Sequence, residues 1–190
     1  LSNGDLLIGN WSEKSCGALK SREKGETWER RGEIPGPNND EPTVTELSNG
    51  TILMYLRAGD GYMWKSTSED NGETWAPNTR TEIVAANSSH HIFKLSNGHL
   101  ALSYNECKPP YRSPLVLRFS VDDGKTWGKP IVVDEITVPE GLPGWSRQVT
   151  YPSMAEDSEG NVIIVWARIV FGEKEAYGDI KVARVAEPPK

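Results

Sequence analysis

Short runs of strand-forming residues alternate along this chain with glycine-centred turns, and no stretch carries a helical period. The runs that enter turns are Glu41 to Leu47 and Ser89 to Leu95; those that leave them are Asp5 to Asn10, Thr51 to Arg57, His99 to Asn105 and Asn161 to Arg168. Between them stand Leu1-Ser2-Asn3-Gly4, Leu47-Ser48-Asn49-Gly50 and Leu95-Ser96-Asn97-Gly98, with a looser fourth copy at Asp157-Ser158-Glu159-Gly160. Asn-Gly between apolar runs predicts a two-residue hairpin turn.

A second repeat alternates with the first. Ser68-Glu69-Asp70-Asn71-Gly72-Glu73-Thr74-Trp75 recurs as Ser120-Val121-Asp122-Asp123-Gly124-Lys125-Thr126-Trp127, and Ser21 to Trp28 is a third copy with Glu23 in place of Asp. The shared pattern is S-x-[D/E]-x-G-x-T-W. Ser and Asp or Glu suit a turn that satisfies its own backbone N–H groups, Gly supplies the bend, and Trp packs the next strand down. The box residues Ser21, Glu23, Gly25 and Trp28, Ser68, Asp70, Gly72 and Trp75, and Ser120, Asp122, Gly124 and Trp127 are therefore expected to be structural.

Each full unit reads as strand, Asn-Gly turn, strand, loop, strand, box turn, strand. The glycines of successive Asn-Gly turns, Gly4, Gly50, Gly98 and Gly160, are 46, 48 and 62 residues apart. Four strands per interval predict the blade of a β-propeller rather than a solenoid rung. The expected blades are 1–34 (incomplete, opening at its turn), 35–80, 81–134 and 135–190, in one partial all-β domain. The connection from Asp134 to Gln148, with Pro139, Gly141, Pro143 and Gly144, reads as a long irregular loop.

Composition adds exclusions. A net charge of −6 with no basic block argues against a nucleic-acid partner. No apolar run reaches the length of a membrane span. The two cysteines, Cys16 and Cys107, are too few for a disulfide framework and lack metal-ligand spacing; idle thiols are expected, with one disulfide left open.

Strand direction then sorts the polar residues. In each blade both turn types fall at one end of the strands, so the opposite ends define a second face. Glu41 stands nine residues before Gly50 and Arg57 seven after it, which places them nearly opposite each other at that far end. Tyr151 stands nine residues before Gly160 and Ser89 nine before Gly98, while Arg112 starts the strand leading to Ser120. Two guanidiniums suit an anionic ligand, because each can pair with a carboxylate through two charge-assisted bonds. A phenol beside a proton-accepting carboxylate is a usable nucleophile, and one that carries no charge to repel an anionic substrate. Each residue also has a plainer reading, as a strand-end charge for Arg57 and Arg112, a loop acid for Glu41 and a half-buried aromatic for Tyr151. His90 and His91 adjoin the same position without a third ligand spaced for a metal, and a general-base role for one of them stays open. Trp145 reads equally as a sugar-stacking or a packing residue.

These residues resemble the sialidase (neuraminidase) family of the Asp-box, or BNR-repeat, superfamily over essentially the whole chain. Asn39 to Gly50 followed by Arg57 is similar to the segment bearing the catalytic Glu and one triad arginine. Arg112-Ser113-Pro114-Leu115 is similar to the segment of another triad arginine, and Tyr151-Pro152-Ser153-Met154 to that of the nucleophilic tyrosine. The resemblance implies a six-bladed propeller and a retaining exo-sialidase without metal or organic cofactor, of the kind that uses Tyr as nucleophile. By that analogy Tyr151 attacks the anomeric carbon, Glu41 accepts its proton, and Arg57 and Arg112 hold the carboxylate of a sialylated or other acidic glycan. The family's first triad arginine and acid/base aspartate have no match here, so N-terminal blades are expected to be missing and residues 1–190 alone to be inactive. A secreted or periplasmic location follows from the same analogy; oligomeric state does not. A lyase or hydrolase of uronate polysaccharides, and a non-catalytic carbohydrate-binding propeller, remain open as alternatives.

Overall fold

The computed structural model describes residues 1–13, 15–36, 40–172 and 175–187, and among them the chain is all-β. Fourteen strands form four antiparallel sheets, each of consecutive strands. The first holds β1 (Leu6–Trp11), β2 (Cys16–Ser21) and β3 (Glu29–Glu33), and the second β4 (Asp40–Glu46), β5 (Ile52–Arg57), β6 (Tyr62–Ser68) and β7 (Thr79–Val84). The third holds β8 (His91–Lys94), β9 (Leu100–Asn105), β10 (Leu115–Ser120) and β11 (Ile131–Asp134), and the fourth β12 (Arg147–Glu156), β13 (Val162–Phe171) and β14 (Ala176–Val185). A short 3-10 turn, Gly144–Ser146, ends the loop before β12.

The chain divides into two compact units: Leu1–Ala58 with Met63–Glu82, and Gly59–Tyr62 with Ile83–Lys190. In the first unit, Cys16, Ala18, Ile34, Ile52, Met54, Leu56 and Trp75 form the core. In the second, Leu115, Leu117, Val149, Met154, Val162, Ile164 and Trp166 belong to one apolar cluster. Second-position strands such as β5 and β9 are buried along nearly their whole length, which is why they read as apolar runs instead of alternating ones. Cys16 and Cys107 are both free thiols.

The Asn-Gly turns correct the expected geometry. Gly50 N–H donates to the Leu47 carbonyl at 3.1 Å, and Leu47 N–H donates to the Thr51 carbonyl at 2.9 Å. Only Gly50 takes a positive φ, +85°, and Asn49 does not. This is a three-residue loop, a turn followed by a glycine bulge, because a two-residue turn of the Asn-Gly type needs both central residues at positive φ. The turns at Leu95–Gly98 and Asp157–Gly160 repeat the same pair of bonds. A glutamate near the end of the following first strand fastens two of these turns: Glu46 accepts from Ser2 N–H and Oγ at 2.6 and 2.5 Å, and Glu156 from Ser96 N–H and Oγ at 2.7 and 2.8 Å.

The boxes are self-satisfying turns. Ser68 Oγ accepts from Gly72 N–H at 2.9 Å and donates to Asp70 Oδ1 at 2.7 Å; Asp70 in turn accepts from Thr74 N–H at 2.9 Å and Thr74 Oγ1 at 2.6 Å. Ser120, Asp122, Gly124 and Thr126 repeat all four bonds. In the Glu-bearing copy, Ser21 accepts from Gly25 N–H at 2.8 Å and Thr27 Oγ1 donates to Glu23 at 3.1 Å. Trp75 is buried, whereas Trp28 is 37% exposed, so the packing role expected of the box tryptophan is unequally filled. Buried Lys20 ties β2 to the second box through Asp5 at 3.0 Å, Glu73 at 2.7 Å and the Asn71 carbonyl at 2.9 Å.

These bonds move the box acids. Burial pushes Asp70 up, but the Thr74 and Ser68 hydroxyls and the Thr74 and Glu73 amides outweigh it and hold the carboxyl at about 2; the Thr126 hydroxyl leads the same effect on Asp122. Both lie below the ordinary 3.8, so the unfolded chain takes up protons first on acidification. Box stability is therefore present above about pH 4 and lost as the pH falls through about 2. We expect Asp70→Ala to lower stability by about 1–2 kcal/mol and to flatten this acid limb in a denaturant titration repeated from pH 6 to 2. An unchanged limb would remove the turn from the account.

Candidate active site

Glu41 and Arg57 belong to the first unit and lie at the end of their sheet away from both its turns. The ladder between β4 and β5 runs regularly from Glu46↔Ile52 to Thr43↔Tyr55 and then shifts, resuming at Asp40↔Arg57. Glu41 and Pro42 together oppose a single residue, Leu56. That is a β-bulge, and Pro42 explains it locally because proline has no N–H to give a ladder. Glu41 takes φ +40°, a left-handed conformation costly for a residue with a side chain. In the ladder Arg57 thus faces Asp40, but the bulge redirects the Glu41 side chain so that Arg57 Nη1 donates to Glu41 Oε1 at 2.6 Å. Side-chain exposure is 13% for Arg57 and 22% for Glu41. Glu41 Oε2 is buried and has no hydrogen-bond partner among the described residues. Gly9 on β1 makes room for this corner, since a Cβ there would stand 2.3 Å from the Pro42 carbonyl oxygen. Asn39, the first residue of the segment quoted above, lies outside the described residues.

Arg112 and Tyr151 belong to the second unit, and the same device recurs there. The β12–β13 ladder runs from Glu156↔Val162 to Ser153↔Val165 and resumes, shifted by one, at Thr150↔Ala167. Tyr151 and Pro152 form the bulge, with Tyr151 at φ +57° and 46% exposed while Pro152 is buried. The remaining non-glycine residues at positive φ, Lys24, Asn71 and Asp123, each precede a box glycine. Outside the boxes, left-handed backbone on a non-glycine residue thus falls, among the described residues, on Glu41 and Tyr151. One correction follows: Tyr151 is not at a strand end, because β12 and β13 continue past the bulge through Arg147 and Val170.

Arg112 is held beside Tyr151. Its backbone forms a parallel bridge with Gln148, its carbonyl accepts from Val149 N–H at 3.0 Å, and its Nη1 donates to Gln148 Oε1 at 3.2 Å. The guanidinium carbon is 5.9 Å from the centre of the Tyr151 ring, at the limit of a cation–π contact. Gln148 is a positioning partner that the linear pattern did not single out; it also donates to the Trp145 carbonyl at 2.9 Å. Next to Arg112 a recess is lined by Asn87, Pro109, Pro110, Tyr111 and Trp145. Tyr111 and Trp145 are each about half exposed, at 49% and 51%, and Trp145 stands edge-on to Phe171 with ring centres 5.6 Å apart. Burial lowers the pKa of His91, whose Nδ1 accepts from Met154 N–H at 2.8 Å. That bond occupies the imidazole in structure, so it is not a free base. Among the described residues no three His, Cys, Asp or Glu side chains are grouped as metal ligands. None of the helices there is long and apolar enough to cross a membrane.

Comparison with known proteins places the chain. The model of a family described as "BNR repeat-like domain" matches residues 18–164. A sialidase of Micromonospora viridifaciens is 30% identical over 121 residues, covering 58% of this chain and 18% of that protein. An anhydrosialidase of Macrobdella decora is 28% identical over 89 residues, 45% of this chain and 12% of that protein. Among solved structures, a leech intramolecular trans-sialidase complexed with 2,7-anhydro-Neu5Ac superposes with a TM-score of 0.75 at 20% identity, covering 98% of this chain and 30% of that one. The chain therefore has the all-β, sialidase-like propeller fold and spans less than a fifth of the length of these two curated relatives.

Proposed function

We propose, from the premise that this chain belongs to the BNR repeat-like domain family, that it is part of a retaining, sialidase-type glycosidase. The substrate is a terminal sialic acid or a similar acidic sugar on a glycan. Tyr151 is the nucleophile, Glu41 is the base for its phenol, and Arg57 and Arg112 bind the sugar carboxylate. The observation that carries this reading is the pair of matching bulges. Left-handed backbone on a residue with a side chain persists where the fold over-determines it, and such strain clusters at functional sites. Here it falls on a carboxylate and a phenol, each with an arginine beside it.

The chemistry runs in two displacements. The phenolic oxygen bonds to the anomeric carbon as the glycosidic bond breaks, and the phenol proton passes to Glu41. The glycan oxygen departs with a proton from a general acid. Water then displaces the phenolate from the same carbon, giving its proton to the conjugate base of that general acid while Glu41 returns the phenol proton, and the double inversion retains configuration. The known proteins support the sugar class, because the leech enzyme's ligand is a sialic acid derivative.

The substrate class is tested with the intact protein that carries this chain, by comparing a fluorogenic α-sialoside with unsaturated and saturated uronate oligosaccharides. Release from the sialoside with no cleavage of the uronates is expected. Uronate cleavage without sialoside turnover would replace this reading with the lyase or hydrolase alternative.

A further inference from the structure

β12 is the edge strand of its sheet, so the backbone groups on its open side have no neighbouring strand to complete them. Side chains and a loop of the second unit take that place. Val149 N–H donates to the Arg112 carbonyl at 3.0 Å, and the Val149 carbonyl accepts from Asn105 Nδ2 at 2.7 Å. The hydroxyls of Ser88 and Thr150 are 2.5 Å apart, and Met154 N–H donates to His91 Nδ1 at 2.8 Å. Ser88, Asn105 and Thr150 are buried. These bonds bracket Tyr151 and Pro152 on both sides, where the bulge interrupts the ladder to β13 and proline offers no N–H of its own.

The imidazole is suited to this use. To accept from an amide, Nδ1 must be unprotonated, which puts the ring's proton on Nε2. Burial lowers the ring's pKa and so disfavours the charged form.

We propose that His91 is a positioning residue for Tyr151: by capping the Met154 amide, together with Asn105 at Val149 and Ser88 at Thr150, it completes a polar clamp that holds the bulge and aims the phenol. This inference rests on the reading of Tyr151 as nucleophile. A strained residue stays in place only while its surroundings over-determine it, and the clamp is what does so on the side away from β13.

The test uses His91→Asn and His91→Leu in the intact protein, with Met154 amide exchange measured alongside turnover of a fluorogenic sialoside. Asn can place its Oδ1 near the Nδ1 position and keep the acceptor; Leu cannot. His91→Leu is expected to lower kcat about 10- to 100-fold with KM within about twofold, and His91→Asn to recover to within about threefold of the parent. Met154 exchange should be at least about tenfold faster in the Leu variant and near the parent rate in the Asn variant. A folded Leu variant with parental kcat, or an Asn variant as slow as Leu, overturns the proposal. If the parent turns over no sialoside, the nucleophile reading fails by itself and Met154 exchange decides the clamp: faster in Leu supports it, unchanged overturns it.

Discussion

Tyr151→Phe in the intact protein is expected to lower sialoside turnover on the order of 10^3-fold or more while ligand affinity stays within about threefold. The substitution removes one oxygen atom, the one proposed to bond to the anomeric carbon. The ring stays, and with it the contact to the Arg112 guanidinium 5.9 Å from its centre. Tyr151 is 46% exposed, so no buried hydroxyl partner is orphaned and the fold should be unaffected. The measurement is turnover of a fluorogenic sialoside beside calorimetric binding of a non-hydrolysable sialic acid analogue. A binding propeller without catalysis would show no turnover in the parent, and full activity in the Phe variant would place the nucleophile elsewhere.

Glu41→Gln is expected to lower turnover about 10^2- to 10^4-fold, the usual contribution of a positioned base. Gln keeps the shape and still offers Arg57 an oxygen, so the 2.6 Å contact with Arg57 Nη1 has a neutral replacement. The cost to stability should then be about 1 kcal/mol, the difference between a charge-assisted and an ordinary hydrogen bond in a half-buried setting. Turnover and a denaturant titration on the same variant separate the two effects. A large fall in stability with activity intact would make Glu41 a structural partner of Arg57 and nothing more.

The turns were legible because their chemistry is local. Ser68, Asp70 and Thr74 bond to one another and to backbone within seven residues, so the box announces itself without knowledge of the rest of the fold. The Glu41–Arg57 pair was legible from register, although the register itself moves by two residues between the expected hairpin and the observed one. A two-residue Asn-Gly turn would set Pro42 opposite Arg57; the extra loop residue at Leu47–Gly50 moves that place to Glu41, the bulge moves it on to Asp40, and the redirected Glu41 side chain makes the contact. The bulges themselves had a signal in the sequence that the strand pattern obscured. Pro42 and Pro152 stand inside strand-like runs where proline cannot donate to a ladder, and each follows a candidate catalytic residue.

The length of β12 and the clamp around it were not legible. β12 reaches back to Arg147 because β13 continues to Phe171 opposite it, and nothing in the glycine- and proline-rich loop before Arg147 marks that extension. His91, Asn105 and Ser88 meet β12 across sequence gaps of 63, 44 and 62 residues, so only the packed second unit brings them together. Trp28 makes the same point from the other side. Its box matches the others in pattern, yet the ring stays 37% exposed because burial is decided by neighbours and not by the repeat.

Tyr151 is proposed to become covalently glycosylated during turnover. This is tested by treating the intact protein with a 3-fluorosialosyl fluoride, in which a good leaving group speeds formation of the glycosyl-enzyme and the ring fluorine slows its hydrolysis. Mass spectrometry of the digested protein should find one sugar adduct on the peptide containing Tyr151, and none in Tyr151→Phe. An adduct on another residue, or turnover that inverts the sugar and leaves no adduct, would contradict the account.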